Sequence, residues 1–597
     1  MTTKEIVTGI LSTTGKGTGF VAVADAAEEA QDILIEPGKT GLALHGDEVE
    51  VELLDSTELD RQSGKVIKVI NKAKREYVGT VDKKVKVSFV KPDNYKIHKD
   101  FFLPRNQADK VNDGDKVLVK LVKWDDPKQA PLAEVVKVLG KKGDHETEMQ
   151  SILLSQNIID EFPPEVKKQA EKLAANREAI FAKALNDKHR KDCRHLTTTT
   201  IDPVDAKDFD DALSLEWHDE TGNHVTIGVH IADVSHFVTP QSALDYEAFE
   251  RSFSTYLVDR TIPMLPSELS NDLCSLNPNT DRLAFSGFFE FKKDTLISSS
   301  FTKTIIHSDK RFTYEDAQAI IEGAENEHGR DIRFLNELAL KLKTRRLKAG
   351  AIEFGDTEVK FELDENKKPV AIYPYERKEA HKMVEEFMLL CNQEAAKWFE
   401  KKSKQLGAQA LSVFRVHDNP DRDKLIELNE FIKALGYDGL TKEDLSQDRI
   451  RHSVIQKLLA MVENSPVEEL VNNQMLRAMA KAAYATNDKG HFGLAFENYL
   501  HFTSPIRRYP DLLVHRAMDH YLRGELPPNK DKGYYQKAAK QASQREIQTV
   551  DAERASIAYK QVEYMQDKVG QEFDGIVSGV SQYGLFVEEQ TSRAQGL

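Results

Sequence analysis

The spacing of apolar side chains changes character three times along the chain. Over the first 142 residues it is short and alternating. Asp47-Glu-Val-Glu-Val-Glu-Leu-Leu puts an apolar residue at every second position, the period of a strand with one buried face. Gly15-Lys-Gly-Thr-Gly followed by Phe20-Val-Ala-Val predicts a flexible turn entering a strand. Tyr77-Val-Gly-Thr-Val, Val85-Lys-Val-Ser-Phe and Asp113-Gly-Asp-Lys-Val-Leu-Val-Lys-Leu-Val repeat that plan. Gly46-Asp-Glu-Val-Glu-Val and Gly114-Asp-Lys-Val-Leu-Val hold similar places in the two halves, a weak internal repeat. The predicted fold is two small five-stranded OB-type barrels, residues 1–72 and 73–142.

After the polar linker Lys141-Lys-Gly-Asp-His-Glu-Thr-Glu the pattern turns helical. Residues 146–190 are rich in Ala, Glu, Lys and Leu, with a break at Pro163-Pro164. Strands and helices then alternate. Val225-Thr-Ile-Gly-Val-His-Ile, Phe288-Phe-Glu-Phe and Phe301-Thr-Lys-Thr-Ile-Ile read as strands. Residues 376–403 carry Val384, Phe387, Met388, Cys391, Ala395 and Trp398 at helical spacing, a core-facing stripe. Residues 421–485 and 534–567 also predict helices. From Gly570 the pattern returns to period two, a hairpin with Tyr583 and Phe586 on it. Residues 568–597 are too few for an independent domain, so this piece is expected to be cut short or to pack on something else. The fold class is multidomain α+β, with a mixed α/β centre over 143–567.

Composition narrows the class. At 597 residues the chain is too long for one core, and about four domains are expected. A 40% hydrophobic and 30% charged content suits a soluble globular protein. No apolar run is long enough to span a membrane, and Met1-Thr-Thr-Lys-Glu-Ile lacks the apolar core of a signal peptide. Cys193, Cys274 and Cys391 are few, distant and odd in number, which argues against disulfides or a cysteine zinc site and fits a reducing cytoplasm. The net charge of −15 is unlike a nucleic-acid binder, but it is unevenly spread. Residues 1–70 hold 6 Lys+Arg against 13 Asp+Glu, a balance of −7; residues 71–142 hold 18 against 10, a balance of +8. A basic barrel with surface aromatics can stack single-stranded bases. Phe20, Tyr77 and Phe89 are candidates, although each, taken singly, suits a barrel core better than a stacking platform.

The densest chemistry lies in Asp202-Pro-Val-Asp-Ala-Lys-Asp208-Phe-Asp210-Asp211. Carboxylates this close repel unless solvated or neutralised by a cation. Hard divalent ions take oxygen ligands, and two of them can hold the attacking and leaving oxygens of a phosphodiester. On an extended chain Asp208 and Asp210 point one way and Asp211 the other, so convergence needs a bend, and Pro203 supplies stiffness nearby. A calcium loop is excluded, because Lys207 and Leu213 stand where it needs Gly and Glu. An acidic surface loop remains the alternative. Ser504-Pro-Ile-Arg507-Arg508-Tyr509-Pro510-Asp511 holds two arginines between prolines, suited to phosphate oxygens, or else a pair of surface arginines. Arg251-Ser-Phe-Ser-Thr-Tyr256-Leu-Val-Asp-Arg260 offers a tyrosine near positive charge, for a terminal base or for a core.

Together these strings resemble the ribonuclease II/ribonuclease R family of exoribonucleases. Gly228-Val-His-Ile-Ala-Asp-Val-Ser-His-Phe-Val, Ala380-His-Lys-Met-Val-Glu-Glu-Phe-Met, His491-Phe-Gly-Leu-Ala and Phe502-Thr-Ser-Pro-Ile-Arg-Arg-Tyr-Pro-Asp-Leu extend the likeness in the family's order across residues 190–520. The last string is similar to the ribonuclease R type. The resemblance implies two cold-shock barrels, an RNB catalytic domain and an S1 barrel beginning near Gly570. It implies processive 3′-to-5′ hydrolysis of RNA to nucleoside 5′-monophosphates, including structured RNA. The alternatives are a catalytically silent RNA-binding regulator, or an enzyme that stalls at duplexes. By similarity Asp202, Asp208 and Asp211 hold Mg²⁺, as two ions for which Mn²⁺ can substitute. Asp210 is the carboxylate most needed for cleavage, Arg507 stabilises the scissile phosphate, and Tyr256 stacks on the 3′-terminal base. Arg508, Phe20 and Tyr77 are expected on the RNA path. Phe414 is offered as a second clamp aromatic, and Asp551 or Glu553 as a contact to the last nucleotide. Single-stranded RNA and RNA 3′ ends are the implied partners, with the ribosome or RNA-decay factors beyond them and no membrane. The family's N-terminal helical extension and Lys-rich tail have no counterpart in the sequence, which bears on the grip on structured RNA.

Overall fold

Period-two patterning becomes barrels where predicted. In the computed structural model, which describes residues 5–23, 32–54, 62–354, 358–445, 449–527, 532–581 and 584–597, the chain divides into two compact units, 1–160 and 161–597. Five strands close the first barrel: β1 (Ile6–Thr13), β2 (Gly19–Val23), β3 (Ile33–Ile35), β4 (Glu48–Leu54) and β5 (Ser63–Asn71). On β4, Val49 and Val51 point inward while the alternating Glu48, Glu50 and Glu52 are only half-buried. A second closed barrel uses β6 (Glu76–Lys83), β7 (Ser88–Pro92), β8 (Phe101–Leu103), β9 (Asp115–Lys123) and β10 (Leu132–Lys141). The following helix, His145–Ser155, packs on β6, β9 and β10 and so belongs to this unit.

In the second unit the helical run breaks at the proline pair: one helix begins with Pro164, where a missing N–H costs nothing. The centre is a mixed seven-stranded sheet built from β11 (Arg190–Asp192), β12 (Thr198–Asp202), β13 (Asp211–Trp217), β14 (His224–Ala232), β17 (Thr280–Lys292), β18 (Thr295–Ser308) and β19 (Lys310–Thr313). Its order is β11-β18-β17-β14-β13-β12-β19. A two-residue ladder, β15 (Thr255–Tyr256) with β16 (Thr261–Ile262), stands apart. Val225, Ile227, Val229 and Ile231 of β14 join Phe285, Phe289 and Phe291 of β17 in one core, covered by helices Gly329–Ala349 and Glu379–Leu406. In the second helix Val384, Phe387, Cys391 and Ala395 are buried as the stripe predicts, with Met388 and Trp398 partly so. Ala212, Ala232, Ala284 and Ile306 enter a second core with helices Tyr509–Leu522 and Lys532–Gln566. The hairpin β20 (Glu358–Leu363) and β21 (Pro369–Tyr375) is tied to the last helix by Lys560, whose fully buried Nζ donates to the Lys367 carbonyl at 2.5 Å.

Among the described residues, 421–485 hold four helices, Arg422–Ala434, Lys442–Leu445, His452–Val462 and Glu468–Ala478. They end in a short strand, Ala483–Ala485, that pairs with Phe414–Val416 instead of continuing as helix. The C-terminal piece forms a three-stranded sheet (Gly575–Ser581, Gly584–Glu589, Gln595–Gly596). It packs on the rest of its unit, with Gln561 donating to the Ser592 carbonyl at 2.8 Å and Arg593 paired with Glu469. Tyr583 lies outside the described residues.

Candidate active site

The aspartate run is the β12–β13 connection at one end of the sheet. Asp202 is the last residue of β12 and Asp211 the first of β13. The connection is pinned rather than loose. Phe209 is buried, its N–H donates to Ser275 Oγ at 2.9 Å, and its carbonyl accepts from Leu276 N–H at 2.9 Å. Ser275 Oγ donates to the Lys207 carbonyl at 2.9 Å, and the Ala232 N–H reaches the Asp210 carbonyl at 2.8 Å. Arg311 ties the start of the connection through the Pro203 and Val204 carbonyls at 2.6 and 2.9 Å. The bend that strand geometry demands is the turn at Pro203–Ala206, closed by the Ala206 N–H on the Pro203 carbonyl at 3.1 Å, and the anchored, buried Phe209 excludes a free surface loop.

Asp210 is only 4% exposed. Its Oδ1 accepts the Ile506 N–H at 2.9 Å, and its Oδ2 faces Arg507 Nε at 3.4 Å. Arg507 Nη2 also donates to Ser504 Oγ at 2.9 Å. The Ser504–Asp511 segment thus meets the aspartate loop directly, although the two lie far apart in sequence. Tyr256 stands on the same rim. Its N–H donates to Glu553 Oε1 at 3.1 Å, the residue is 40% exposed, and it lies within electrostatic reach of Arg507, Asp208 and Asp210. Glu553 rather than Asp551 is therefore the late-helix carboxylate at the site.

The charge here is undercompensated. Burial raises Asp202 well above the usual carboxylate range, and the neighbouring Asp211 charge raises it further. Burial also raises Asp208. It raises Asp210 well above the usual range, against the pull of Arg507 and the Ile506 N–H. It lifts Asp211 to about 6, with Arg507 and Arg508 opposing. Asp202 Oδ2 and Asp210 Oδ2 are buried without a hydrogen-bond partner. Among the described residues no three acidic or histidine side chains meet as a ready-made cation cage. Buried carboxylate oxygens facing one guanidinium still fit a hard divalent cation, with water and substrate oxygens completing its shell.

Three sequence expectations fail on burial or pairing. Tyr77 is a core residue of the second barrel, 8% exposed, its ring 5.1 Å from Phe101 and its hydroxyl donating to the Lys74 carbonyl at 3.2 Å. Phe414 is buried against Phe399 in the central core and cannot clamp a base. Arg508 is turned inward, with Nε and Nη2 on Asp511 Oδ2 and Oδ1 at 2.9 and 2.7 Å. Asp511 is fully buried and also accepts the Ser504 N–H at 2.8 Å, so Arg508 braces the segment that carries Arg507. Arg508→Ala should cost about 3–5 kcal/mol in urea unfolding, because it strands a buried carboxylate. Phe20 is half-buried on β2. Phe89 is half-buried on β7 and forms an edge-to-face pair with Phe102 of β8, centroids 5.9 Å apart, a partner the sequence did not single out.

Sequence reasoning also missed Tyr314, His381 and Tyr375. The parallel β12–β19 register sets Asp202 beside Thr313, so Tyr314, the next residue, falls next to the carboxylates. Asp211 and Asp202 reinforce burial in raising its phenol. Only the string beginning Ala380-His381 gave a local signal.

Family comparison agrees with this geometry. Residues 190–524 match the RNB domain, 9–69 the Ribonuclease B OB domain and 89–163 the Cold shock domain. The chain belongs to the RNB family of 3′-to-5′ exoribonucleases. It is similar to Ribonuclease R of Thermotoga maritima, at 37% identity over 97% of this chain and 81% of that protein. Among solved structures it resembles Mycoplasma genitalium RNase R in complex with ribose methylated single-stranded RNA, with TM-score 0.89, 26% identity, and 99% and 92% of the two chains covered. The same protein in complex with double-stranded RNA matches with TM-score 0.81 at 26% identity, over 94% of each chain. Ribonucleases of this family are metal-dependent.

Proposed function

We propose that this exoribonuclease digests RNA processively from the 3′ end to nucleoside 5′-monophosphates, with Mg²⁺ held by Asp202, Asp208 and Asp211. The observation that carries this is the Asp210–Arg507 contact beside Asp202 Oδ2, which is buried without a hydrogen-bond partner. Asp202, Asp208 and Asp211 would hold Mg²⁺, as a pair of ions or with Mn²⁺ in its place, and the metal would supply water activation and charge stabilisation at the phosphodiester. Asp210 and Ser504 hold the Arg507 guanidinium beside the phosphate, where its fork offsets charge that develops on the oxygens. Tyr256, half open to solvent and fixed through its backbone by Glu553, offers its face to the terminal base. The barrel of residues 73–142 contributes the Phe89–Phe102 pair as a stacking surface, and Phe20 does so on the barrel of residues 1–72.

A silent RNA-binding regulator would not need this complete set. The test is digestion of 5′-labelled RNA with Mg²⁺ or with EDTA. Progressive shortening with the metal alone supports the enzyme, and metal-independent binding without products overturns it. Duplex entry is favoured by the double-stranded RNA complex of the Mycoplasma relative. A substrate with a 3′ overhang running into a hairpin checks this, since full digestion and a stall at the stem base are distinct bands. Tyr256→Ala should leave longer end products on a denaturing gel, because the last nucleotides lose their stacking partner. Unchanged end products would remove Tyr256 from the site. Three buried, unpaired cysteines suit the cytoplasm as its place of work. Among the described residues no helix is long and apolar enough to cross a membrane.

A further inference from the structure

His381 joins three elements that the proposed mechanism does not otherwise use. Its ring stacks on Tyr314, centroids 3.8 Å apart and planes 16° from parallel. Tyr314 opens the helix Tyr314–Ile321, next to Asp202, while His381 lies in the first turn of the helix Glu379–Leu406. Ala380 N–H donates to Gln318 Oε1 at 3.1 Å, tying the start of the second helix to the middle of the first. The Tyr375 hydroxyl, at the end of β21, is 2.5 Å from His381 Nε2. Lys360 Nζ sits 4.0 Å from the centre of the Tyr375 ring, which brings positive charge to that rim.

The backbone decides which nitrogen carries the proton. Lys378 N–H donates to His381 Nδ1 at 3.1 Å, so Nδ1 is an acceptor. A neutral imidazole must then bear its hydrogen on Nε2 and donate it to Tyr375. His381 is 8% exposed, and burial lowers its imidazole to about 4, which keeps it neutral at working pH. Tyr375 Oη therefore accepts from His381, and its own proton must turn elsewhere.

We infer that His381 is a positioning residue for RNA binding: through its fixed tautomer it aims the Tyr375 hydroxyl as a donor to a sugar-phosphate oxygen of the strand, and its ring holds Tyr314 flat beside the carboxylates. This rests on RNA being the substrate of the site. A donor that meets the strand equally in ground and transition states changes KM and not kcat.

The test is a double-mutant cycle read by RNA affinity in EDTA and by KM and kcat with Mg²⁺. Tyr375→Phe removes only the hydroxyl, and His381→Phe keeps a flat ring without either hydrogen bond. Each is expected to weaken RNA affinity and raise KM about tenfold with kcat unchanged, the loss of one well-placed hydrogen bond. The double variant should show the same tenfold, because both act through one bond. His381→Gln, which can present a donor near the Nε2 position, should recover most of the loss; it decides the matter with Tyr375→Phe if His381→Phe fails to fold. Losses that multiply, a fall in kcat alone, or wild-type affinity in Tyr375→Phe would overturn the role. Because affinity is read without metal, failure to cleave RNA at all would count against the proposed activity and leave the His381 measurement standing.

Discussion

Asp210→Asn should lower RNA turnover by roughly 10²–10³-fold while leaving RNA affinity nearly unchanged. The size follows from where the two carboxylate oxygens point. Oδ1 holds the Ile506 N–H, and an asparagine oxygen can keep that bond, so the meeting of the two segments survives. Oδ2 faces Arg507 Nε, and there the amide NH₂ presents donor to donor. The guanidinium loses its tether just where phosphate charge must be met. Tyr256, on its own ladder and held by Glu553, is untouched, so binding persists. Single-turnover digestion of labelled RNA, set beside filter binding, separates the two effects. The same variant should melt at a higher temperature in EDTA than the parent, because it removes a buried carboxylate that burial disfavours. Digestion at the parental rate would take Asp210 out of the chemistry.

How much of this could be read from the sequence depended on whether the signal was local. Alternation in Glu48–Leu54 names the buried valines of β4, and the proline pair at 163–164 marks a helix start, because both are consequences of backbone geometry within a few residues. The aspartate run and Ser504–Asp511 were visible as chemistry because their members are adjacent. Which way a side chain faces was not visible. Tyr77 and Phe89 sit in similar strand contexts, yet one lies inside its barrel and the other half outside. Adjacent Arg507 and Arg508 diverge, one 44% exposed beside Asp210 and the other locked on Asp511, because the helix beginning at Tyr509 buries Asp511. Tyr314, His381 and Tyr375 were least legible. They come from three elements, and only the β12–β19 register and the packing of two helices bring them to the carboxylates.

Removing the metal should stop digestion outright and reverse the way stability responds to pH. The sign follows from the direction of the shifts. Asp202, Asp208 and Asp210 are raised by burial, and Asp211 is raised to about 6 from an ordinary 3.8. A carboxyl whose folded value exceeds its unfolded one binds a proton more readily in the native state. Its contribution to stability is complete below about 4 and is lost as pH rises through the folded value. In EDTA, therefore, lowering pH from about 7.5 to about 5.5 should raise the melting temperature through this cluster. With Mg²⁺ bound the charged forms are the useful ones, and protons compete with the ion. Melting temperature and digestion should then both fall over the same interval. Asp211→Asn provides the control, since it deletes the proton step at about 6 and should flatten the EDTA curve there. A parent protein whose melting temperature ignores Mg²⁺ at neutral pH, or whose EDTA curve matches that of Asp211→Asn, would mean that these carboxylates are already neutralised within the fold and hold no cation.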